Sequence, residues 1–196
     1  MTTNEQELLV PLEAYLKSGI HIGTKYKNSY MEPFIYKIRN DGLFVLNVQE
    51  VDKRLRLLSN FINQYSPGEM VIVCRRENGW DAVNKFSEIT GIKAFIGRYP
   101  PGMLTNPNLE RFTETKMIFV VDPIPDKNAV KDAAKIRVPV AALCDTNNDS
   151  LNVDFCCPCN NKGKKSLGLV FFILAREYQS SRKKEFSASI EDFEKE

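Results

Sequence analysis

The chain has 196 residues, of which 43% are hydrophobic and 27% charged, with a formal net charge of +2. This composition is typical of one folded domain and excludes a disordered chain. Its five cysteines are too few for a disulfide scaffold. The longest apolar run, residues 167–175, is too short for a bilayer span of about 20 residues. The N-terminus lacks the pattern of a secretory signal, so we expect a cytoplasmic protein without membrane contact.

The first third of the chain predicts local elements bounded by turn residues. Pro11 and Gly19 bracket a short helix. Asp41-Gly42 favours a tight hairpin turn because glycine adopts the positive φ that such turns need. The predicted elements are a helix at 11–17, a basic loop at 20–33, a hairpin at 34–48 and a helix at 50–65.

The remainder alternates between short apolar strands and amphipathic helices. Strands are predicted at 70–74, 93–96, 117–121, 138–144 and 153–156. Helices are predicted at 80–90, 126–135 and 166–181, the second of them capped by Asp126. This alternation predicts an α/β domain with a mostly parallel sheet between two helical layers. The long irregular segment 97–116 is expected to be functional or held by a partner.

Signals of catalysis are weak. Cys156 and Cys159 form a C-x-x-C pair, as in thiol oxidoreductases, but the next helix begins too late for its dipole to act on the thiols. Asp122 and Asp145 follow two strands, where a metal-dependent enzyme could bind magnesium. We favour buried apolar cysteines and turn-forming aspartates, and we predict no catalytic residue, metal or cofactor.

Basic residues are concentrated away from the acidic ones. Residues 17–39 carry five bases and one acid, residues 162–184 carry seven and one, and residues 185–196 have a net charge of −4. Basic segments interleaved with tyrosines favour an RNA partner, because lysine and arginine contact phosphates. The alternative is ordinary solvated lysine on the surface.

Four separated stretches resemble one family. They read GIHIGTKYKNSYMEPFIYKIRNDGL (19–43), IGRYPPGMLTNP (96–107), VVDPIPDKNAVKDAAKIRVPVAALCDTNN (120–148) and PCNNKGKKSLGLVFFILARE (158–177). The chain resembles the small-subunit ribosomal protein two family in its archaeal and eukaryotic form, and its closing EFSASIEDFE is most similar to archaeal members. The resemblance implies a three-layer flavodoxin-like (Rossmann-like) domain without catalytic activity.

The resemblance also implies a place for the chain. Members lie on the solvent side of the small subunit near the head–body junction, where they contact rRNA and neighbouring ribosomal proteins. We therefore expect an N-terminal helix and basic arm (1–33), an α/β ribosomal domain (34–184) and an acidic C-terminal tail (185–196). No homo-oligomer is expected.

Two sets of contact residues follow from charge and from apolar spacing. The rRNA-binding candidates are basic residues at Lys25, Lys27, Arg39, Arg75, Arg76, Arg98, Lys162, Lys164, Lys165, Arg182, Lys183 and Lys184. We expect Arg182 to Lys184 to continue the same basic side as the others. The protein-contact candidates belong to the tail: Phe186, Ile190, Glu191, Asp192, Phe193 and Glu194. We predict a tail that is disordered in the free chain and docks its apolar stripe on a basic neighbouring protein; the alternative is a solvated tail.

Overall fold

The structure, a computed structural model, describes residues 8–194 and begins with the elements predicted for the first third of the chain. These are α1 (Leu12–Ser18), the antiparallel pair β1 (Ile35–Ile38) and β2 (Phe44–Leu46), and α2 (Val48–Asn63), which begins two residues before its predicted start because Asn47 caps it, and also ends two residues early. Gly19 ends α1 and Gly42 closes the hairpin, as predicted, and both have positive φ. Residues 1–7 of the predicted arm and 195–196 of the predicted tail lie outside the described residues.

A five-stranded sheet with only parallel pairs forms the centre of the domain. Its strands are β3 (Met70–Cys74), β4 (Lys93–Ile96), β5 (Met117–Val120), β6 (Val140–Cys144) and β7 (Phe155–Pro158). They lie in the order β4-β3-β5-β6-β7. Every residue of β3, β5 and β6 is buried, which explains their uninterrupted apolar sequences.

Three further helices complete the two outer layers: α3 (Trp80–Thr90), α4 (Lys127–Ile136) and α5 (Lys164–Ser181). The chain moves one way across the sheet from β3 to β4 and the other way from β5 to β6, so right-handed crossovers put α3 and α4 on opposite faces. Helix α5 packs beside α3, where the rings of Phe86 and Phe171 are 5.5 Å apart. The predicted three-layer α/β fold is confirmed. No helix within residues 8–194 is long and apolar enough to cross a bilayer.

The long segment 97–116 is held by the chain itself. Asp132 of α4 accepts hydrogen bonds from the Gly102 amide at 2.9 Å and the Tyr99 hydroxyl at 3.3 Å. Tyr99, Met103 and Leu104 are buried in the core. Internal contacts therefore order this segment.

Two local predictions are wrong. The Asp126 side chain does not cap α4, because its Oδ2 instead accepts a hydrogen bond from the Arg75 amide at 3.1 Å. Strand β7 lies two residues later than predicted and includes Cys156 and Cys157. Its position is fixed by pairing with β6, where Ala142 lies opposite Cys156, and local sequence does not encode that register.

The tail packs on its own domain, contrary to the prediction that it docks on a neighbour. A single 3-10 turn, Glu191–Phe193, lies against α3 and α5, and Phe193 is fully buried. The Phe172 ring of α5 contacts Phe186 and Phe193, with centroids 5.5 Å and 5.9 Å away. Helix α5 is apolar on nearly all sides, so its outer face needs a cover, and the tail that follows it in the chain supplies one.

Gly168 makes this packing feasible. A Cβ at Gly168 would lie 2.9 Å from Glu194 Cγ and 3.2 Å from the Phe193 carbonyl oxygen, closer than side chains normally approach. Replacing this glycine is therefore a selective way to displace the tail.

We expect Gly168→Val to release the tail and to lower the free energy of unfolding by about 1–3 kcal/mol through overpacking. Hydrogen exchange should then accelerate at the amides of Phe193 and Glu194, which donate to Ile190 and Glu191 in the native fold. Gly68→Val is the control, because a Cβ at Gly68 meets no atom within 4 Å. Native exchange rates in Gly168→Val would contradict the packing role.

Candidate nucleic-acid interface

The carboxyl ends of the five parallel strands meet at one edge of the sheet, here called the carboxyl edge. Arg75 and Arg76 follow β3, Arg98 follows β4, and Asp122 and Asp145 follow β5 and β6. The strand order reverses between β3 and β5, and doubly wound folds bind ligands at such a switch point. The polar groups at this edge therefore decide which chemistry the fold can support.

Asp122 occupies the switch point and is paired from within. Its carboxylate is 0% exposed and accepts hydrogen bonds from the Arg76 guanidinium at 2.6 Å and the Asn148 amide at 2.9 Å. The Ile124 amide donates a third bond at 3.0 Å, which confirms the predicted turn-forming role. Arg76 neutralises the buried charge, as a buried carboxylate requires.

Asp145 is satisfied in the same way one strand further along. Its carboxylate accepts a bond from Lys162 Nζ at 2.8 Å and one from the Thr146 amide at 2.6 Å. Asn148 joins the two carboxylate sites, because it donates to Asp122 and accepts from the Asp145 amide and from Asn161. Across residues 8–194, no group of three His, Cys, Asp or Glu side chains is arranged to hold a metal ion.

Asp126 is a further buried carboxyl at this edge, and it is less completely hydrogen-bonded than Asp122 and Asp145. It is 1% exposed, its Oδ2 accepts from the Arg75 amide, and its Oδ1 has no hydrogen-bond partner. Burial raises its pKa to about 6, and the nearby negative charge of Asp122 contributes in the same direction. The carboxyl therefore titrates near neutrality and opposes folding when it is ionised.

The five cysteines are all free and buried. Burial raises the pKa of the Cys74 thiol to about 12 and holds those of Cys157 and Cys159 well above their ordinary value. Cys156 lies 3.7 Å from the sulfur of Met31. Redox cysteines need exposed thiols of low pKa, so this arrangement confirms the predicted packing role.

The basic arm is tied to the carboxyl edge by Thr146. The Thr24 amide donates to Thr146 Oγ1 at 3.0 Å, and the Asn28 amide donates to the Thr146 carbonyl at 2.8 Å. Gly23 permits this close approach, since a Cβ there would lie 2.4 Å from Thr146 Cγ2. Lys25, between these anchors, is thereby exposed at the carboxyl edge.

The predicted rRNA-contact residues near this edge divide into two sets. The exposed set consists of Lys25, Lys27, Arg75, Arg98 and Lys165, of which Lys27 pairs at the surface with Glu32. The half-buried set is engaged in ion pairs within the chain: Arg76 with Asp122, Lys162 with Asp145, and Lys164 with Asp81 at 3.2 Å. The first turn of α5 contains Lys164 and Lys165 but no acid, so the positive end of the helix dipole adds to their charge.

The other predicted cations lie elsewhere. Arg39 lies in the hairpin turn and pairs with Asp41 at 3.4 Å. Arg182 donates to the Tyr65 carbonyl at 2.8 Å, at the end of the sheet where β3 begins. The 18 residues of α5, about 27 Å of helix, separate Arg182 from Lys164. The expectation that Arg182, Lys183 and Lys184 continue the same basic side is wrong, because α5 runs antiparallel to the strands.

Sequence reasoning missed the residues that link these loops. The sequence patterns assign no role to Asn148, Asn161 or Thr146, yet their hydrogen bonds join segments up to 122 residues apart. The sequence signal that could have identified these linking residues was the repeated placement of acids, amides and bases directly after successive strands.

Comparisons with known proteins match this chain to one family over most of its length. The family model described as "Ribosomal protein S2" matches residues 15–114 and 108–181. The small ribosomal subunit protein uS2 of Nanoarchaeum equitans is 47% identical to this chain, over 96% of each. The chain belongs to the ribosomal protein S2 family. The uS2 protein of Picrophilus torridus is 44% identical over 97% of this chain and 98% of its own length. That of Methanococcus maripaludis strain C6 is 44% identical over 91% and 81%.

Membership of the S2 family confirms the resemblance carried by the four motifs, including its archaeal character. The chain is accordingly a cytoplasmic ribosomal protein of the small subunit, and it is not an enzyme.

Asp126→Asn should stabilise the fold at about pH 7.5, by up to about 3 kcal/mol, because it removes a buried charge whose pKa is raised to about 6. A carboxyl whose pKa is raised in the folded state lowers the free energy of unfolding when it is ionised. This destabilisation decreases as the pH falls and the wild-type Asp126 side chain is protonated. The advantage of the variant should narrow by about 1 kcal/mol on lowering the pH to about 5. Urea unfolding at both pH values measures this. Asp149→Asn, at an exposed carboxyl, should show no such trend; a constant difference for Asp126→Asn would contradict the assignment.

Cys156→Ala with Cys159→Ala should leave association with small subunits intact and cost about 1–3 kcal/mol of stability per site through lost packing. Co-sedimentation and urea unfolding provide the two readouts. Disulfide-reductase activity that disappears in the variant, or stoichiometric zinc in the native protein, would overturn the packing role.

Proposed function

We propose that this chain binds small-subunit rRNA through the carboxyl edge of its sheet, near the head–body junction on the solvent side, and that it contacts neighbouring ribosomal proteins as a structural constituent. One observation carries the rRNA proposal. Segments far apart in the sequence bring exposed cations to one edge: Lys25 and Lys27 from the arm, Arg75 and Arg98 after two strands, and Lys165 from α5.

The form of this surface favours a chain of phosphates over a single small ligand. The inner positions of the edge are filled by Arg76 with Asp122 and Lys162 with Asp145. The remaining cations are exposed and spread over several loops. A polyanion can contact such cations together, and contacts of this type position RNA without reading its sequence.

Aromatic side chains beside the cations support RNA in particular. Tyr26 is 78% exposed between Lys25 and Lys27, and Tyr30 is 44% exposed in the same arm. Exposed rings can stack on unpaired bases, which is the common mode of protein contact with irregular RNA. The arm therefore offers both phosphate contacts and stacking surfaces.

The paired cations have a different role in this proposal. Arg76 and Lys162 lie about one-third exposed and neutralise buried carboxylates. They hold the loops after β3 and β7 in place, so the exposed cations are presented on a rigid frame. Arg39, Arg182, Lys183 and Lys184 remain candidates for contacts with other segments of the subunit.

The three-part division of the chain extends the proposal. In this proposal the arm (1–33) contributes cations and the domain (34–184) supplies the frame, whereas Glu191 and Glu194 of the acidic segment (185–196) line one hollow with Lys165 and limit the positive charge there. Glu185 and Glu191 of that segment are exposed.

Replacing Lys25, Arg75 and Arg98 together by alanine should flatten the plot of log affinity for small-subunit rRNA against log salt. Each lost phosphate contact changes the slope by roughly 0.7 to 0.9, so the triple variant should lose about 2 to 3 units. Filter binding across a salt series measures the slope.

The matched control replaces Lys93, Lys116 and Lys135 by alanine, which removes the same charge at the opposite end of the sheet, where β4 and β5 begin and α4 ends. Its slope should stay close to that of the native chain. Equal losses in the two triple variants would show that general charge, and not the carboxyl edge, governs binding.

A further inference from the structure

A second surface, distinct from the cationic edge, lies along α4 on the face opposite α3 and α5. Ile124, Val130 and Leu151 line a groove with a volume of about 220 Å³ between α4 and the loop that joins β6 to β7. A neighbouring hollow of about 330 Å³ shares Asn152 and continues the groove to Arg137. The two hollows, which share Asn152 in their linings, are here called the α4 groove.

The α4 groove exposes aliphatic side chains on both of its walls. Ile124 is 49% exposed on the α4 side, and Leu151 is 71% exposed on the loop side. Isolated apolar residues are ordinary on protein surfaces, whereas these two line the same groove.

The two walls of the groove carry opposite charges, which indicates the kind of partner that could bind. Lys127 and Lys131 are exposed on α4, whereas Asp149 and Asp154 line the loop side. A strand of RNA phosphates would be attracted by one wall and repelled by the other. No aromatic ring lines the groove, so a nucleic-acid base has nothing on which to stack.

We propose that the α4 groove binds a short segment of another small-subunit ribosomal protein, whose large apolar side chain lies between Ile124 and Leu151 and whose carboxylate faces Lys127 and Lys131. This inference rests on the proposed function, because the assembled subunit supplies the neighbour. The groove adjoins the rRNA side, since Arg75 donates to the Pro125 carbonyl at 3.2 Å beside Ile124. A protein partner can therefore bind here at the margin of the RNA.

Carbodiimide coupling of native small subunits tests the groove without altering the chain. The reagent joins a lysine amine to a carboxylate in contact with it, and mass spectrometry of the joined peptides identifies both. We expect Lys127 or Lys131 to couple to an aspartate or glutamate of a second ribosomal protein, within about one helical turn of a large apolar residue. No coupling of either lysine to another protein, or coupling only to Asp149 of the same chain, would overturn the proposal.

A pair of variants tests the apolar part. Leu151→Asp should lower the yield of that coupled product at least tenfold in reconstituted subunits, whereas Leu57→Asp, at an exposed leucine of α2, should leave it unchanged. An equal yield in both variants would overturn the role of Leu151. Binding of rRNA by the free chain is measured in the same experiments. Loss of rRNA binding in the carboxyl-edge triple variant tests only the proposed function. Leu151→Asp should retain rRNA binding, so a failure of the groove proposal can be told apart from a failure of the proposed function.

Discussion

Two carboxylates buried at the carboxyl edge, Asp122 and Asp145, constrain the loops around them. A charge removed from water costs several kcal/mol unless a cation and hydrogen-bond donors replace the lost solvent. Arg76 comes from the loop after β3 and Lys162 from the segment after β7, and Asn148 connects the two sites. Satisfying the two charges therefore ties together loops from four strands, which makes this edge a rigid unit.

Because of this constraint, the basic residues at the carboxyl edge have two different roles. Arg76 and Lys162 turn inward and stabilise the frame, whereas Lys25 and Arg98 stay in solvent on the same edge. In many doubly wound proteins the switch point is an open crevice for a ligand. Here the chain's own side chains fill it, which suits a protein whose edge presents charge outward to a large partner.

Helix α5 is the second organising element, because it gathers both ends of the described chain. Arg176 donates to the Leu9 carbonyl at 2.9 Å, and Phe193 packs against Phe172 and over Gly168. Its apolar surface extends nearly around the helix, so it must be covered on all sides by the sheet, by α2 and α3, and by the terminal segments. The acidic tail therefore packs on its own domain and is not free to bind a neighbouring protein.

The sequence by itself determined the elements that local chemistry specifies. Strand β3 and helix α3 match their predicted bounds because apolar periodicity and Gly91 define them. The S2 family motifs likewise identified the family and placed cations in loops. The tertiary structure alone decided the register of β7, the cover for Phe193 and the partners of the charged groups. Arg76 and Asp122 are 46 residues apart, and no local pattern encodes which cation a buried carboxylate will meet once the strands are aligned.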